Sequence, residues 1–322
     1  MEEPQRKYKL KCQRRLRTLF PGINPSTINF SSTDYLNLAS HPYVKEQGIA
    51  YSIKWGSGSL PTRGLPSYEE ALKKSEDLLA KFLGHETVTF YESDPYLLSK
   101  INMLNGKPLI LTQSISRNTG TLICFDDLRT IKENSNSFLG VDDSLSFSSL
   151  GNHGFGLAAQ KEDVDLLLGS FNKCFGSYVS YFACSKKIKA DLFEKLPALH
   201  KEQYIPPLFL GMIDATIKLI PSMLFERKRL FNLKHLLYTS LRKIGFQPLE
   251  TKAPFVSLPF SNPSEMKNVH LHLCDHFFLP GTSSSSLTFF PNLGLTEKDI
   301  SNLFLSFSSY KEIPQFEALK FV

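Results

Sequence analysis

The stretch Gly169-Ser-Phe-Asn-Lys-Cys-Phe-Gly176 decides the fold, because it overlaps an apolar run that predicts a buried strand over residues 166–171. Residues 178–184 predict the strand that follows it. Upstream, further strands are predicted at residues 86–91, 108–112 and 138–142, and helices at residues 43–54 and 67–83, the latter with Ser67 as its N-cap. Strands that alternate with helices indicate an α/β fold with a mainly parallel sheet.

The same alternation begins again downstream, after helical periodicity over residues 207–244. A strand at 255–259, a helix at 263–275, a strand at 286–290 and a helix at 297–308 predict a second, smaller α/β unit. A chain of 322 residues also exceeds the usual size of one domain. We therefore predict an N-terminal segment (1–44), a large domain (45–225) and a small C-terminal domain (226–322).

Charge and cysteine usage narrow the functional classes. Much of the net charge of +6 comes from seven basic residues between Arg6 and Arg17. Such a segment can bind nucleic acid or an anionic membrane, but no other basic stretch extends it, and we favour a solvated amphipathic helix over residues 5–19. No apolar run is long enough to span a bilayer, and five scattered cysteines without a C-x-x-C pair indicate reduced thiols. We predict a cytoplasmic protein that binds neither nucleic acid nor membrane.

Four potential metal ligands alternate in the C-terminal part of the chain, at His270, His272, Cys274 and His276. On a strand they would share one face and could bind zinc. They fall instead in and just after the predicted helix 263–275, where alternate side chains point in different directions. We therefore predict no metal site.

Five short motifs occur in one order between residues 34 and 207. They are Asp34–Pro42 (D-Y-L-N-L-A-S-H-P), Gly56–Gly84 (G-S-G-S, Arg63, L-A-K-F-L-G), Val141–Gly156 (V-D-D, L-G-N-H-G-F-G), Asp165–Ser185 around Lys173, and Ile205-Pro-Pro207. Together they resemble the α-oxoamine synthases, pyridoxal phosphate (PLP) enzymes that include 8-amino-7-oxononanoate synthase of biotin biosynthesis. The resemblance implies a fold-type I PLP-dependent transferase that forms a homodimer and condenses an amino acid with an acyl thioester, with decarboxylation.

The resemblance also assigns residues to the site. Lys173 matches the lysine that forms a Schiff base with PLP. Asp142, favoured over Asp143 by the register, matches the carboxylate that keeps the pyridinium nitrogen protonated, so that the ring acts as an electron sink. Ser170 matches a hydroxyl that binds the phosphate. Arg63 matches a substrate-binding arginine near the entrance, although an exposed arginine without a function fits nearly as well.

The chain departs from the family at four places. Leu145 replaces a histidine beside the cofactor ring, and Glu92-Ser-Asp-Pro95 replaces a Ser-Gly-Tyr turn that binds phosphate with backbone N–H groups, which proline lacks. The interval before Val141 is shortened and has no histidine between residues 95 and 140, and the uncharged stretch 283–290 replaces an arginine that binds the substrate carboxylate.

Because of these departures, three functions stay open. The chain is a PLP-dependent acyltransferase, a PLP protein whose substrate lacks a carboxylate, or a catalytically impaired homologue that acts as a binding or interaction protein.

Overall fold

The computed structural model describes residues 27–56, 66–93, 101–197, 199, 205–283 and 285–311. The strands are β1 (Ile28–Phe30), β2 (Thr87–Glu92), β3 (Met103–Leu104), β4 (Lys107–Gln113), β5 (Phe138–Asp142), β6 (Leu166–Ser170), β7 (Val179–Cys184), β8 (Val256–Pro259), β9 (Phe278–Thr282) and β10 (Ser286–Phe289). The α-helices are α1 (Pro42–Trp55), α2 (Pro66–Leu83), α3 (Phe125–Ser135), α4 (Asn172–Phe175), α5 (Lys186–Lys195), α6 (Pro207–Leu219), α7 (Leu224–Lys243), α8 (Pro263–Asp275) and α9 (Glu297–Lys311).

The described residues within 33–117 and 121–227 form the larger of two compact units. Its sheet has the strand order β2-β7-β6-β5-β4-β3. The strands β4, β5 and β6 are parallel, whereas β7 is antiparallel to both β6 and β2, and β3 is antiparallel to β4. Four of the six strands therefore run in one direction, although three of the five neighbouring strand pairs are antiparallel. The predicted α/β fold is confirmed, and its sheet is mixed rather than mainly parallel. The ends of β2, β4, β5 and β6 and the start of β7 lie at one edge.

The centre of this sheet is buried on both faces. Every residue of β7 is buried, as expected for a strand that is covered on both sides. The segment after β6 is held by aromatic packing, since the Phe171 ring centroid lies 5.6 Å from that of Phe147 and 5.3 Å from that of Tyr181. This packing fixes the backbone two residues before Lys173.

Residues 27–32, 118–120 and 228–311 form the smaller unit. Its sheet has the order β1-β9-β10-β8, in which β1 is parallel to β9 and the other pairs are antiparallel. The helices α7, α8 and α9 contribute apolar side chains to its core. The core also contains six phenylalanines: Phe30, Phe246, Phe260, Phe278, Phe289 and Phe307.

Two helix predictions are wrong in detail. The helical pattern over residues 207–244 is divided into α6 and α7 by the 3-10 turn Ile220–Ser222, because Pro221 has no N–H to continue the helix. Ser67 lies inside α2 rather than at its N-cap, and its Oγ accepts a hydrogen bond from Trp55 Nε1 at 3.2 Å.

Other elements were not predicted. The helices α3 and α5 and the strands β1, β3 and β9 are absent from the sequence-based expectations, and β9 contains Pro280 and Gly281, which are uncommon within strands. The strand β5 and the helix α8 have the predicted bounds. The predicted helix over residues 5–19 lies outside the described residues. Within the described ranges, no single helix is long and apolar enough to cross a membrane, although the bent pair Pro207–Ser222 and Leu224–Lys243 passes by length and composition.

Candidate active site

A cavity of about 510 Å³ lies at the sheet edge where β4, β5 and β6 end. Three of the predicted site residues line it: Lys173, Asp142 and Ser170. Arg63, the fourth, lies outside the described residues. The sequence pattern therefore identified side chains from two neighbouring strands that the fold brings to one cavity.

Lys173 lies on a single helical turn, α4, between β6 and β7. Gly176 ends this turn in the left-handed conformation (φ 76°), which glycine adopts without strain and which lets the chain enter β7. The neighbours Cys174 and Phe175 are buried, whereas the Lys173 side chain is half-buried at the cavity. Burial lowers the pKa of Lys173, the positive charge of Arg117 lowers it further, and Asp142 opposes both effects. A larger share of the amine is therefore neutral, as a nucleophilic lysine requires.

The adjacent carboxylates of Asp142 and Asp143 have different surroundings. Asp142 Oδ1 accepts hydrogen bonds from Ser144 N at 3.0 Å and Ser144 Oγ at 2.6 Å, while no described residue donates to Oδ2. Asp143 is buried and accepts from Ser146 Oγ and from Ala158 N, the latter at 2.8 Å. Burial raises the pKa of Asp143 to about 6. Asp142 thus lines the cavity with one oxygen to which no described residue donates, whereas Asp143 fixes the loop that follows through its hydrogen bonds.

Hydroxyl groups line the side of the cavity formed by β6, β7 and β2. Ser170 ends β6, and Ser93 Oγ lies 2.6 Å from Ser180 Oγ. Gly169 is required beside them, because a Cβ at this position would lie 2.1 Å from Tyr181 Cζ. The missing side chain thereby allows the Tyr181 ring to pack directly against the strand that carries Ser170.

The structure also gives the positions of several residues at which the chain departs from the family pattern. Leu145 lines the cavity and brings no polar side-chain atom to it. Glu92 ends β2 as an exposed residue and does not line the cavity, while Asp94 and Pro95 lie outside the described residues. In the smaller unit, Ser283 Oγ and Ser286 Oγ lie 2.7 Å apart, within the uncharged stretch.

Sequence reasoning missed Arg117, which lines the cavity four residues after β4 ends. No motif marks it. A usable signal was its position after a predicted strand of a parallel sheet, because ligands bind at the carboxyl ends of such strands. Ser93 and Ser180 were not predicted as site residues although they lie in the quoted stretches Glu92–Pro95 and Asp165–Ser185, because the two hydroxyls become neighbours only when β2 pairs with β7.

Comparisons with known proteins agree with this fold. The family model described as aminotransferase class I and II matches residues 96–284. The 8-amino-7-oxononanoate synthase of Gluconacetobacter diazotrophicus is 25% identical over 65% of this chain and 67% of its own.

Solved structures share this fold over most of the chain. A structure of serine palmitoyltransferase (SPT) with a PLP internal aldimine has a TM-score of 0.79 and 14% identity, covering 98% of this chain and 100% of that chain. The 8-amino-7-oxononanoate synthase of Francisella tularensis has a TM-score of 0.73 and 17% identity, covering 89% and 98%. The predicted fold-type I architecture is confirmed.

Proposed function

Because the chain belongs to the aminotransferase class I and II family, we propose that it is a PLP-dependent transferase of the α-oxoamine synthase type. One observation carries this proposal: Lys173, whose pKa is lowered, and Asp142, whose Oδ2 accepts no hydrogen bond from a described residue, line one cavity. The reaction we propose joins the acyl group of an acyl thioester to the α-carbon of an amino acid and releases the free thiol and, from the amino acid's carboxylate, carbon dioxide, as in 8-amino-7-oxononanoate synthase. The proposed assembly is a homodimer.

The cavity residues fit PLP. The amine of Lys173 suits the aldehyde, and Asp142 Oδ2 can accept a hydrogen bond from a protonated ring nitrogen. The hydroxyls of Ser93, Ser170 and Ser180 are donors for a phosphate. When bound, PLP supplies an electron sink for the electron pair left at the substrate α-carbon.

The remaining tasks fall to the chain itself. Ser144 fixes the orientation of the Asp142 carboxylate through two hydrogen bonds to Oδ1, and the direction of Oδ2 is thereby fixed as well. We assign to Lys173 Nζ the removal and return of a proton at the substrate α-carbon, since it lines the cavity and burial lowers its pKa. Leu145 adds an apolar wall that helps to exclude water.

A second candidate function rests on the same cavity. Leu145 offers no hydrogen bond where the family has a histidine, and the stretch 283–290 has no cation for a carboxylate. Both substitutions favour a catalytically impaired homologue that acts as a binding or interaction protein.

A PLP titration followed by absorption spectroscopy separates these functions. We expect a visible band that borohydride reduction abolishes, with a covalent mass increase on the peptide containing Lys173. Lys173→Ala should lose the band, whereas Lys161→Ala, which removes an exposed lysine that does not line the cavity, should keep it. Turnover of an amino acid and an acyl thioester by the PLP-loaded protein would then support the proposed transferase function.

Failure of either step is equally informative. A Lys173-dependent band without turnover against a panel of such substrates supports the impaired homologue. A band that survives in Lys173→Ala refutes the proposed cofactor site.

A further inference from the structure

The geometry points to Arg117 as the residue that binds the carboxylate of the amino acid substrate, in place of the arginine that the stretch 283–290 lacks. This inference rests on the proposed function, since it needs an amino acid bound next to Lys173. It goes beyond that function because it assigns a specificity-determining residue and commits the chain to substrates that carry a carboxylate.

The backbone directs Arg117 to the cavity. At the end of β4, Gln113 pairs with Asp142, and Ser114 N donates to Asp142 O at 2.9 Å. The chain then turns back on itself, with Ile115 bridged to Leu122. Arg117 lies in this turn. The pairing of β4 with β5 therefore holds it next to the strand that carries Asp142.

The order of the strands separates two kinds of polar group. Asp142 ends β5, the hydroxyls of Ser170, Ser180 and Ser93 lie toward β6, β7 and β2, and Arg117 follows β4 on the opposite side. Neighbouring strands are about 4.8 Å apart, so the ends of β4 and β6 are separated by roughly 10 Å. A cofactor with its nitrogen at Asp142 and its phosphate at the hydroxyls leaves Arg117 available for a different anion.

The chemistry of Arg117 suits a carboxylate. Its planar guanidinium can donate two parallel hydrogen bonds to the two oxygens of one carboxylate. Arg117 is exposed toward the cavity and forms no hydrogen bond or ion pair with any described residue. Its charge also lowers the pKa of Lys173, so the guanidinium acts on the amine at which an amino acid would bind. An amine-binding centre and an anion-binding group side by side match an α-amino acid.

The test is a binding titration that needs no turnover. The PLP-loaded protein is titrated with L-alanine and with L-alaninol, whose hydroxymethyl group replaces the carboxylate, and the spectral change gives an apparent Kd for each. Arg117→Ala should weaken L-alanine binding about a hundredfold to ten-thousandfold, because two charge-assisted hydrogen bonds are lost, and leave L-alaninol binding within about twofold. Arg117→Lys should recover part of the loss. Arg242→Ala, an exposed arginine that does not line the cavity, serves as the control and should bind L-alanine like the wild type.

The other role that a cation can have at this cavity is to bind the cofactor phosphate. Titration of the apo-proteins with PLP and with pyridoxal, which lacks the phosphate, tests for that role. A loss of PLP affinity in Arg117→Ala, with pyridoxal unaffected, would identify Arg117 as a phosphate anchor and overturn the inference. Unchanged L-alanine binding in both Arg117 variants would also overturn it while leaving the proposed function intact. Absence of a Lys173-dependent band in the wild type would instead refute the proposed function, and the inference with it.

Discussion

Replacing Asp142 by asparagine is expected to weaken PLP binding and to change the titration of Lys173 at the same time. Asparagine keeps an acceptor for the two hydrogen bonds from Ser144, which now meet at Oδ1. It removes the negative charge and the acceptor at the position of Oδ2. The substitution therefore isolates the electrostatic role of the carboxylate from its role in shaping the loop.

The sizes of both effects, on the Kd for PLP and on the pKa of Lys173, follow from the contacts in the cavity. A hydrogen bond between a carboxylate and a protonated ring nitrogen contributes about 1.5–3 kcal/mol, so the Kd for PLP should rise roughly tenfold to 150-fold. In the apo-protein, the negative charge of Asp142 favours the protonated form of Lys173 and raises its pKa. Removing that charge should lower the pKa of Lys173, and its modification by an amine-reactive reagent should reach the full rate at lower pH.

The assay combines a PLP titration with peptide mass spectrometry of the apo-protein labelled across a range of pH. Asp127→Asn is the matched control, because Asp127 is exposed on α3 and does not line the cavity. A Kd for Asp142→Asn within twofold of the wild type, or a labelling profile shifted to higher pH, would show that Asp142 does not have the assigned role.

Three further substitutions test the surroundings of the site. Burial raises the pKa of Asp143 from 3.8 to about 6. The stability that its protonation contributes is therefore present at low pH and is lost as the pH rises toward 6. In urea unfolding, the free energy of unfolding of the wild type relative to Asp143→Asn should fall by roughly 3 kcal/mol between pH 4 and 7. Gly169→Ala should cost at least about 1–3 kcal/mol through its clash with Tyr181 and lower the PLP affinity, as a thermal melt and a titration would show. Ser185→Ala removes the hydroxyl that accepts from Ile188 N at the start of α5 and should cost about 1 kcal/mol in urea unfolding without changing PLP affinity.

The residues that sequence could predict are those that a local pattern fixes. Lys173 and Asp142 stand in motifs whose neighbours define the register, and the structure brings both to one cavity. Strand β5 was predicted with its observed bounds because Phe138–Asp142 is a compact apolar run that ends in a carboxylate. For the role of each residue, the binding and labelling experiments remain the test.

The rest of the site depends on pairing between distant segments. Arg117 carries no motif, and its place at the cavity follows only from the alignment of β4 with β5. Ser93 and Ser180 are 87 residues apart in the chain and meet because β2 and β7 are antiparallel. Propensity describes single segments, and therefore could not identify groups that become neighbours through strand order.

The antiparallel arrangement of β6 and β7 has a consequence for how the site forms during folding. Ser170 pairs with Ser180 only ten residues later, and Lys173 lies in the connection between them. The pairing of Gln113 with Asp142 closes a segment about three times as long, which costs roughly 1 kcal/mol more in chain entropy. We expect the hairpin that carries the lysine to gain protection first in pulse-labelling hydrogen exchange, ahead of the edge that carries Arg117. Simultaneous protection of both strand pairs would contradict this order.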